Sequence, residues 1–170
     1  MKLHKNVLSD NSIKKFHDEL NYNFANSRWT ASSFFWQPDI TVGIVGNCMS
    51  TVISDELKEM ILTDIGHLLP KCSYHLMQIY VWTKNSGISL HNDDDRLGVT
   101  IYMNQTWDMD YGGIFLWQPK NESEFKVIVP EFNAMVVNDE DERHMVTPIS
   151  PLVDQFRITI QIWGQKADAI

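Results

Sequence analysis

At 170 residues, with 44% hydrophobic and 21% charged side chains, the chain can bury a good core and reads as one ordinary soluble globular domain. Its net charge of −8 argues against nucleic acid or an anionic membrane as the main partner, because phosphate binding needs a basic surface. Cys48 and Cys72 are too few for a disulfide framework and suggest a reducing, cytoplasmic setting. The N-terminal MKLHKNVLSDNS lacks the apolar run of a signal peptide, and no stretch is long and apolar enough to span a membrane.

Residues 10–24 have the spacing of an amphipathic helix. Asp10 or Ser12 is the expected cap, and Ile13, Phe16, Leu20 and Phe24 form the apolar stripe. His17 falls at the edge of that stripe, where a lone histidine is structural. Trp29, Phe34, Phe35 and Trp36 cluster next, as core or as the wall of a cleft. Residues 40–46, ITVGIVG, have the look of a strand interrupted by glycine. A second helix is expected over 54–69. Ser54 caps it, Asp55 and Glu56 suit its positive end, Leu57, Met60, Ile61, Ile65 and Leu68 form its buried face, and Pro70 stops it.

From residue 76 the period changes to two. Ile79 and Val81 face one way; Gln78, Tyr80 and Trp82 face the other. After a turn at 84–87, Val99, Ile101 and Met103 oppose Thr100, Tyr102 and Asn104. Residues 113–117, 125–129 and 134–137 read as strands separated by turns and a loop. Residues 144–149 read as extended, with Pro148 placing the segment at a sheet edge. In 156–163, Ile158, Ile160 and Ile162 alternate with Arg157, Thr159, Gln161 and Trp163. Short strands at this density, after two helices, predict a mainly β sandwich or barrel with N-terminal support helices. Residues 1–75 form the support and 76–170 the core of a single domain. If the polar faces of these strands line one cavity, a buried Arg157 needs an anion, because an unpaired interior charge is very costly.

The chemistry centres on Gly87–Met103. In His91-Asn92-Asp93, an imidazole and a carboxylate two residues apart lie on the same side of an extended chain and can share a metal ion. Asp95 would sit too far along. His144, opening an extended segment after an acidic loop, is the best second imidazole. Two His and one carboxylate with open positions opposite make the facial triad of non-haem Fe(II) oxygenases.

The order His91-x-Asp93, IYMN (101–104), YGG (111–113), a strand ending in Pro130, His144-x-Val146-x-Pro148 and Arg157-x-Thr159 resembles the 2-oxoglutarate- and Fe(II)-dependent dioxygenases. The branch it is most similar to is prolyl 4-hydroxylase-like, especially the oxygen-sensing prolyl hydroxylases and their bacterial relatives. The resemblance covers Met77 to Gly164. It implies a double-stranded β-helix, or jelly roll, with Fe(II) on His91, Asp93 and His144. It also implies 2-oxoglutarate with its far carboxylate on Arg157, helped by Tyr102 and by Tyr80 or Thr159, and O2 as the oxidant. The implied reaction hydroxylates a peptidyl or free amino acid, foremost proline, and releases succinate and CO2. The runner-up readings are a hydroxylase of another small metabolite and a non-catalytic jelly-roll binding module. Many collagen-type relatives carry Lys where Arg157 stands. ISPLVD lengthens the gap from His144 to Arg157, and KNSGIS is short for a loop that closes over protein substrates.

Overall fold

The structure is a computed structural model that describes residues 1–31, 40, 46–93, 96–140 and 142–166. Two helices, α1 (Asp10–Ala25) and α2 (Asp55–Ile65), accompany eleven strands among these residues. The strands are β1 (Lys2–His4), β2 (Thr30–Ala31), β3 (Cys48–Val52), β4 (Cys72–Trp82), β5 (Ile88–His91), β6 (Arg96–Tyr102), β7 (Phe115–Gln118), β8 (Lys126–Ile128), β9 (Met135–Asn138), β10 (Arg143–Val146) and β11 (Arg157–Lys166). All strand pairs are antiparallel. They form a seven-stranded sheet, β1-β9-β6-β11-β4-β3-β2, and a four-stranded sheet, β5-β10-β7-β8.

The alternation along the long strands divides two cores. On the outer face of the large sheet, Ile79, Val81, Val99, Ile101, Ile160 and Ile162 pack with Phe16 and Leu20 of α1 and Leu57, Ile61 and Ile65 of α2. Each such side chain contributes about 1.5–3 kcal/mol when fully buried. On the inner face, Tyr80, Trp82, Tyr102 and Val136 meet Phe115, Ile128 and Val146 of the small sheet. The expected register of β4, β6 and β11 therefore holds, with both tyrosines turned inward and buried.

Several expectations need correction. The cap of α1 is Ser9, whose hydroxyl accepts from the Ser12 N–H; Ser12 lies inside the helix with its own hydroxyl donated to Asp64. The buried stripe of α1 runs Ser12, Phe16, Leu20 and Asn23. Phe24 sits at its margin and turns outward onto Trp29 and Phe156. Helix α2 is capped by Ser54 as expected but ends at Ile65, and residues 66–68 tighten into a 3-10 turn. The N-terminal half also contributes β1, β2 and β3 to the large sheet, and β4 starts at Cys72. The segment at His144 is not an edge strand, because β10 is paired on both sides, by β5 and β7. Pro148 is tolerated because it lies beyond the last paired residue, Val146, where no ladder N–H is needed. Phe34, Phe35 and Trp36, most of the strand expected at 40–46, and Asp95 lie outside the described residues.

Candidate active site

β5 and β10 place His91 and His144 directly opposite each other, with ring centroids 4.4 Å apart. Asp93 follows His91 at the crossover to the large sheet, and its carbonyl accepts from the Arg96 N–H. Its carboxylate Oδ1 lies 3.8 Å from His91 Nε2 and its Oδ2 lies 3.6 Å from His144 Nε2. These separations are too long for hydrogen bonds. One ligand atom from each residue lies within 4.8 Å of the others, a grouping that can hold one metal ion.

The surroundings orient each ligand. His91 Nδ1 is 2.7 Å from the Ser89 carbonyl, and His144 Nδ1 is 2.9 Å from the Glu142 carbonyl. A carbonyl only accepts, so each Nδ1 carries the proton and each Nε2 offers a lone pair. Asn138, the last residue of β9, donates to Asp93 Oδ2 at 3.0 Å and accepts from the Glu142 N–H at 3.3 Å. One amide thereby ties the carboxylate to the loop that aims His144. Phe115 stacks against the His144 ring. Gly98 faces Asp93 across the sheet, and a Cβ there would stand 2.6 Å from Asp93 Oδ2.

Arg157 opens β11 on the inner face and is only 1% exposed. Its guanidinium lies over the rings of Trp82 and Tyr102, at 5.1 and 5.3 Å. None of its three guanidinium nitrogens has a hydrogen-bond partner, and neither does the buried Tyr102 hydroxyl. Burial pushes the Tyr102 phenol up to about 12, against the pull of the Arg157 charge, so it keeps its proton at neutral pH. Burial also lowers the Arg157 pKa from its ordinary value. A sealed guanidinium beside an unpaired phenol is a donor set that lacks its anion. The donors fit a carboxylate, which takes a guanidinium fork through two parallel hydrogen bonds. Gly113, with φ +60°, leaves the room Arg157 needs; a Cβ there would stand 2.8 Å from Arg157 Cδ.

The other expected ligand-binding residues flank this pair. Thr159 accepts from the Trp82 indole N–H at 3.3 Å, which leaves its hydroxyl proton to donate. The Tyr80 hydroxyl donates to Gln78 and accepts from the Trp163 indole, so it is engaged farther along the sheet from Arg157. His91, Asp93 and His144 thus converge, as do Arg157 and Tyr102. The parts played by Gly98, Gly113 and Asn138 were missed. YGG marked Gly113 only as part of a motif, and nothing in NDEDERH distinguishes Asn138 from a solvated loop residue.

The family model of the 2OG-Fe(II) oxygenase superfamily matches residues 77–165. No curated protein matches the sequence. Among solved structures, a prolyl-4-hydroxylase from Pseudomonas putida superposes with a TM-score of 0.69 at 15% identity, covering 98% of this chain and 92% of that one. A prolyl hydroxylase from Trichoplax adhaerens, in complex with a peptide fragment of the hypoxia inducible factor oxygen degradation domain, gives 0.76 at 16% identity, covering 97% and 83%. A prolyl 4-hydroxylase from Phytophthora capsici gives 0.63 at 12% identity, covering 98% and 59%. At these identities the likeness is one of fold, the double-stranded β-helix. With its fold and more than half its length matched, the chain belongs to the 2OG-Fe(II) oxygenase superfamily, whose members work with Fe(II), 2-oxoglutarate and O2.

Proposed function

We propose that this oxygenase hydroxylates an amino-acid residue within a peptide, foremost proline, with His91, Asp93 and His144 holding Fe(II). In this reading the far carboxylate of 2-oxoglutarate sits on Arg157, with Tyr102 and Thr159 as further donors and Tyr80 in the adjoining wall. The observation that carries the reading is the sealed, partnerless guanidinium at one end of the cavity wall, with the His-Asp-His group beyond its other end. Iron, 2-oxoglutarate and O2 together supply the oxidising power for hydroxylation, with succinate and CO2 as co-products. The protein's part is to neutralise the cosubstrate at Arg157, to hold both imidazoles in the Nε2-ligand tautomer, and to keep water from the oxidising centre. We read the 170 residues as one domain in a cytoplasmic setting. No helix among the described residues is long and apolar enough to cross a membrane.

We take the substrate to be peptidyl because a prolyl hydroxylase of similar fold, from Trichoplax adhaerens, is solved in complex with a peptide fragment. The wall between Arg157 and the triad carries Ser50, Gln78, Tyr80, Thr100, Gln161 and Trp163, uncharged side chains bonded to one another, so along this wall the charge of the cosubstrate is met by Arg157. Capped proline peptides and free proline are each incubated with Fe(II), 2-oxoglutarate and O2, with succinate formation and mass spectrometry for one added oxygen as the readouts. Hydroxylation of the capped peptide supports the reading; hydroxylation of free proline alone, or of another metabolite alone, refutes the substrate.

A further inference from the structure

Outside the catalytic cavity, a cleft of about 400 Å³ lies between α1 and the end of β3, walled by Glu19, Tyr22, Asn23, Arg28 and Val52. We propose that this cleft is a second ligand site, built for a small organic carboxylate with an apolar body.

Asn23 carries the argument. It is 4% exposed and occupies the buried stripe of α1, where Phe16 and Leu20 precede it and an aliphatic side chain would pack best. Its amide nitrogen has no hydrogen-bond partner. A buried donor left unmade is unfavourable, so an amide in that stripe calls for an acceptor that the protein does not supply.

The acids nearby do not supply it. Both Glu19 oxygens are taken at the cap of α2, one by the Ser54 N–H and one by the Ser54 hydroxyl, each at 2.7 Å. Asp18 pairs with Lys14, and Lys15 pairs with Glu56. Arg28 lies over the Tyr22 ring at 5.0 Å and makes no salt bridge among the described residues. Among the described residues, the buried Asn23 amide and the exposed Arg28 guanidinium stand on the cleft, and neither is hydrogen-bonded or ion-paired to the Glu19 carboxylate that also lines it. A carboxylate satisfies both.

The walls specify the rest of the ligand. β2 begins opposite Ser50, so beyond that point β3 keeps β4 on one side and has no paired strand among the described residues on the other, and Val52 is 61% exposed. Tyr22 is 51% exposed on the facing helix. These bare apolar surfaces suit a short aliphatic or aromatic body, and the volume of about 400 Å³ lies at the lower end of the range for small-molecule sites.

The site is independent of the catalytic reading, and the test keeps the two apart. The zinc-loaded protein is saturated with 2-oxoglutarate so that Arg157 is occupied, and hydrocinnamate is titrated in with NMR detection of the Asn23 side-chain amide. A saturable shift of that resonance is expected. Hydrocinnamamide, which lacks the charge, should bind at least about tenfold more weakly, as should hydrocinnamate to Arg28→Gln. Asn23→Leu should lose the probe and unfold at the same or a higher temperature, since Leu completes the stripe. Neither variant should change 2-oxoglutarate affinity. No shift of the Asn23 amide, equal binding of acid and amide, or undiminished binding by Arg28→Gln would overturn the proposal. An Asn23→Leu protein that fails to fold would also overturn it, by showing that the native fold already satisfies this amide.

Discussion

Replacing Arg157 by Met tests the proposed cosubstrate site without relying on turnover. Met has a similar length and no charge. In the protein free of 2-oxoglutarate, the wild-type side chain keeps three unpartnered guanidinium nitrogens in a sealed position. Its contacts with the Trp82 and Tyr102 rings offset part of that burden, at about 0.5–2 kcal/mol each. Apolar replacement of buried ionic groups is neutral or stabilising by about 1–4 kcal/mol. In a domain of this size 1 kcal/mol moves the melting temperature by about 2–4 °C. Arg157→Met without cosubstrate should therefore melt at the wild-type temperature or up to about 10 °C above it. With 2-oxoglutarate at about a hundred times the wild-type Kd, wild type gains about 2.7 kcal/mol. The variant, having lost about 2–5 kcal/mol of carboxylate binding, should gain almost nothing. The order of stability then closes or inverts when 2-oxoglutarate is added. Differential scanning fluorimetry of both proteins, metal-loaded and anaerobic, reads this directly. An Arg157→Met protein that melts well below wild type without ligand, or that shows the full 2-oxoglutarate shift, would refute the reasoning.

Three further outcomes follow from the geometry. Gly98→Ala places a methyl 2.6 Å from Asp93 Oδ2 and should weaken Fe(II) binding while leaving 2-oxoglutarate to dock at Arg157; anaerobic titration of each distinguishes this from general misfolding. Asn138→Ala removes the donor on Asp93 and should lower metal affinity about 10–100-fold, measured by competition with a chelator. Burial acts to raise the Asp64 carboxyl, but hydrogen bonds from the Ser12 hydroxyl and from Ser9 outweigh it and hold the pKa below its ordinary value. Its contribution is therefore present above the ordinary carboxylate range and is lost as pH falls through the lowered folded value. Ser12→Ala should cost about 0.5–1.5 kcal/mol at neutral pH and flatten that acid-side loss in urea melts repeated across pH.

The readable parts of the sequence were those where one period runs long enough to name a face. Ile158, Ile160 and Ile162 set the two faces of β11 and put Arg157 on the face opposite them; that this face is buried is seen only in the fold. The i, i+2 spacing of His91 and Asp93 put an imidazole and a carboxylate on one side of the chain, and in the fold they stand in one group with His144. β1 and β2, of three and two residues, are too short to carry a period and exist only because neighbouring strands pair with them. At the start of α1, Ser9, Asp10 and Ser12 are all competent caps, and the choice fell to Ser9 through Asp64, a residue 55 positions away. Gly98 and Asn138 serve Asp93 across the β6–β9 pairing, a relation that no local window contains. The misplaced edge at Pro148 came from reading the proline as a property of the strand, when β10 had already ended.

The two histidines belong to neighbouring strands of the small sheet, while Asp93 leaves that sheet and is moored by Asn138 on the large one. An ion gripping all three is therefore a rivet through both layers of the sandwich. Its loss would unfasten one layer from the other at the cavity's rim, and amide exchange in the metal-free protein should quicken first along β5 and β10, while β4 and β11 keep their protection.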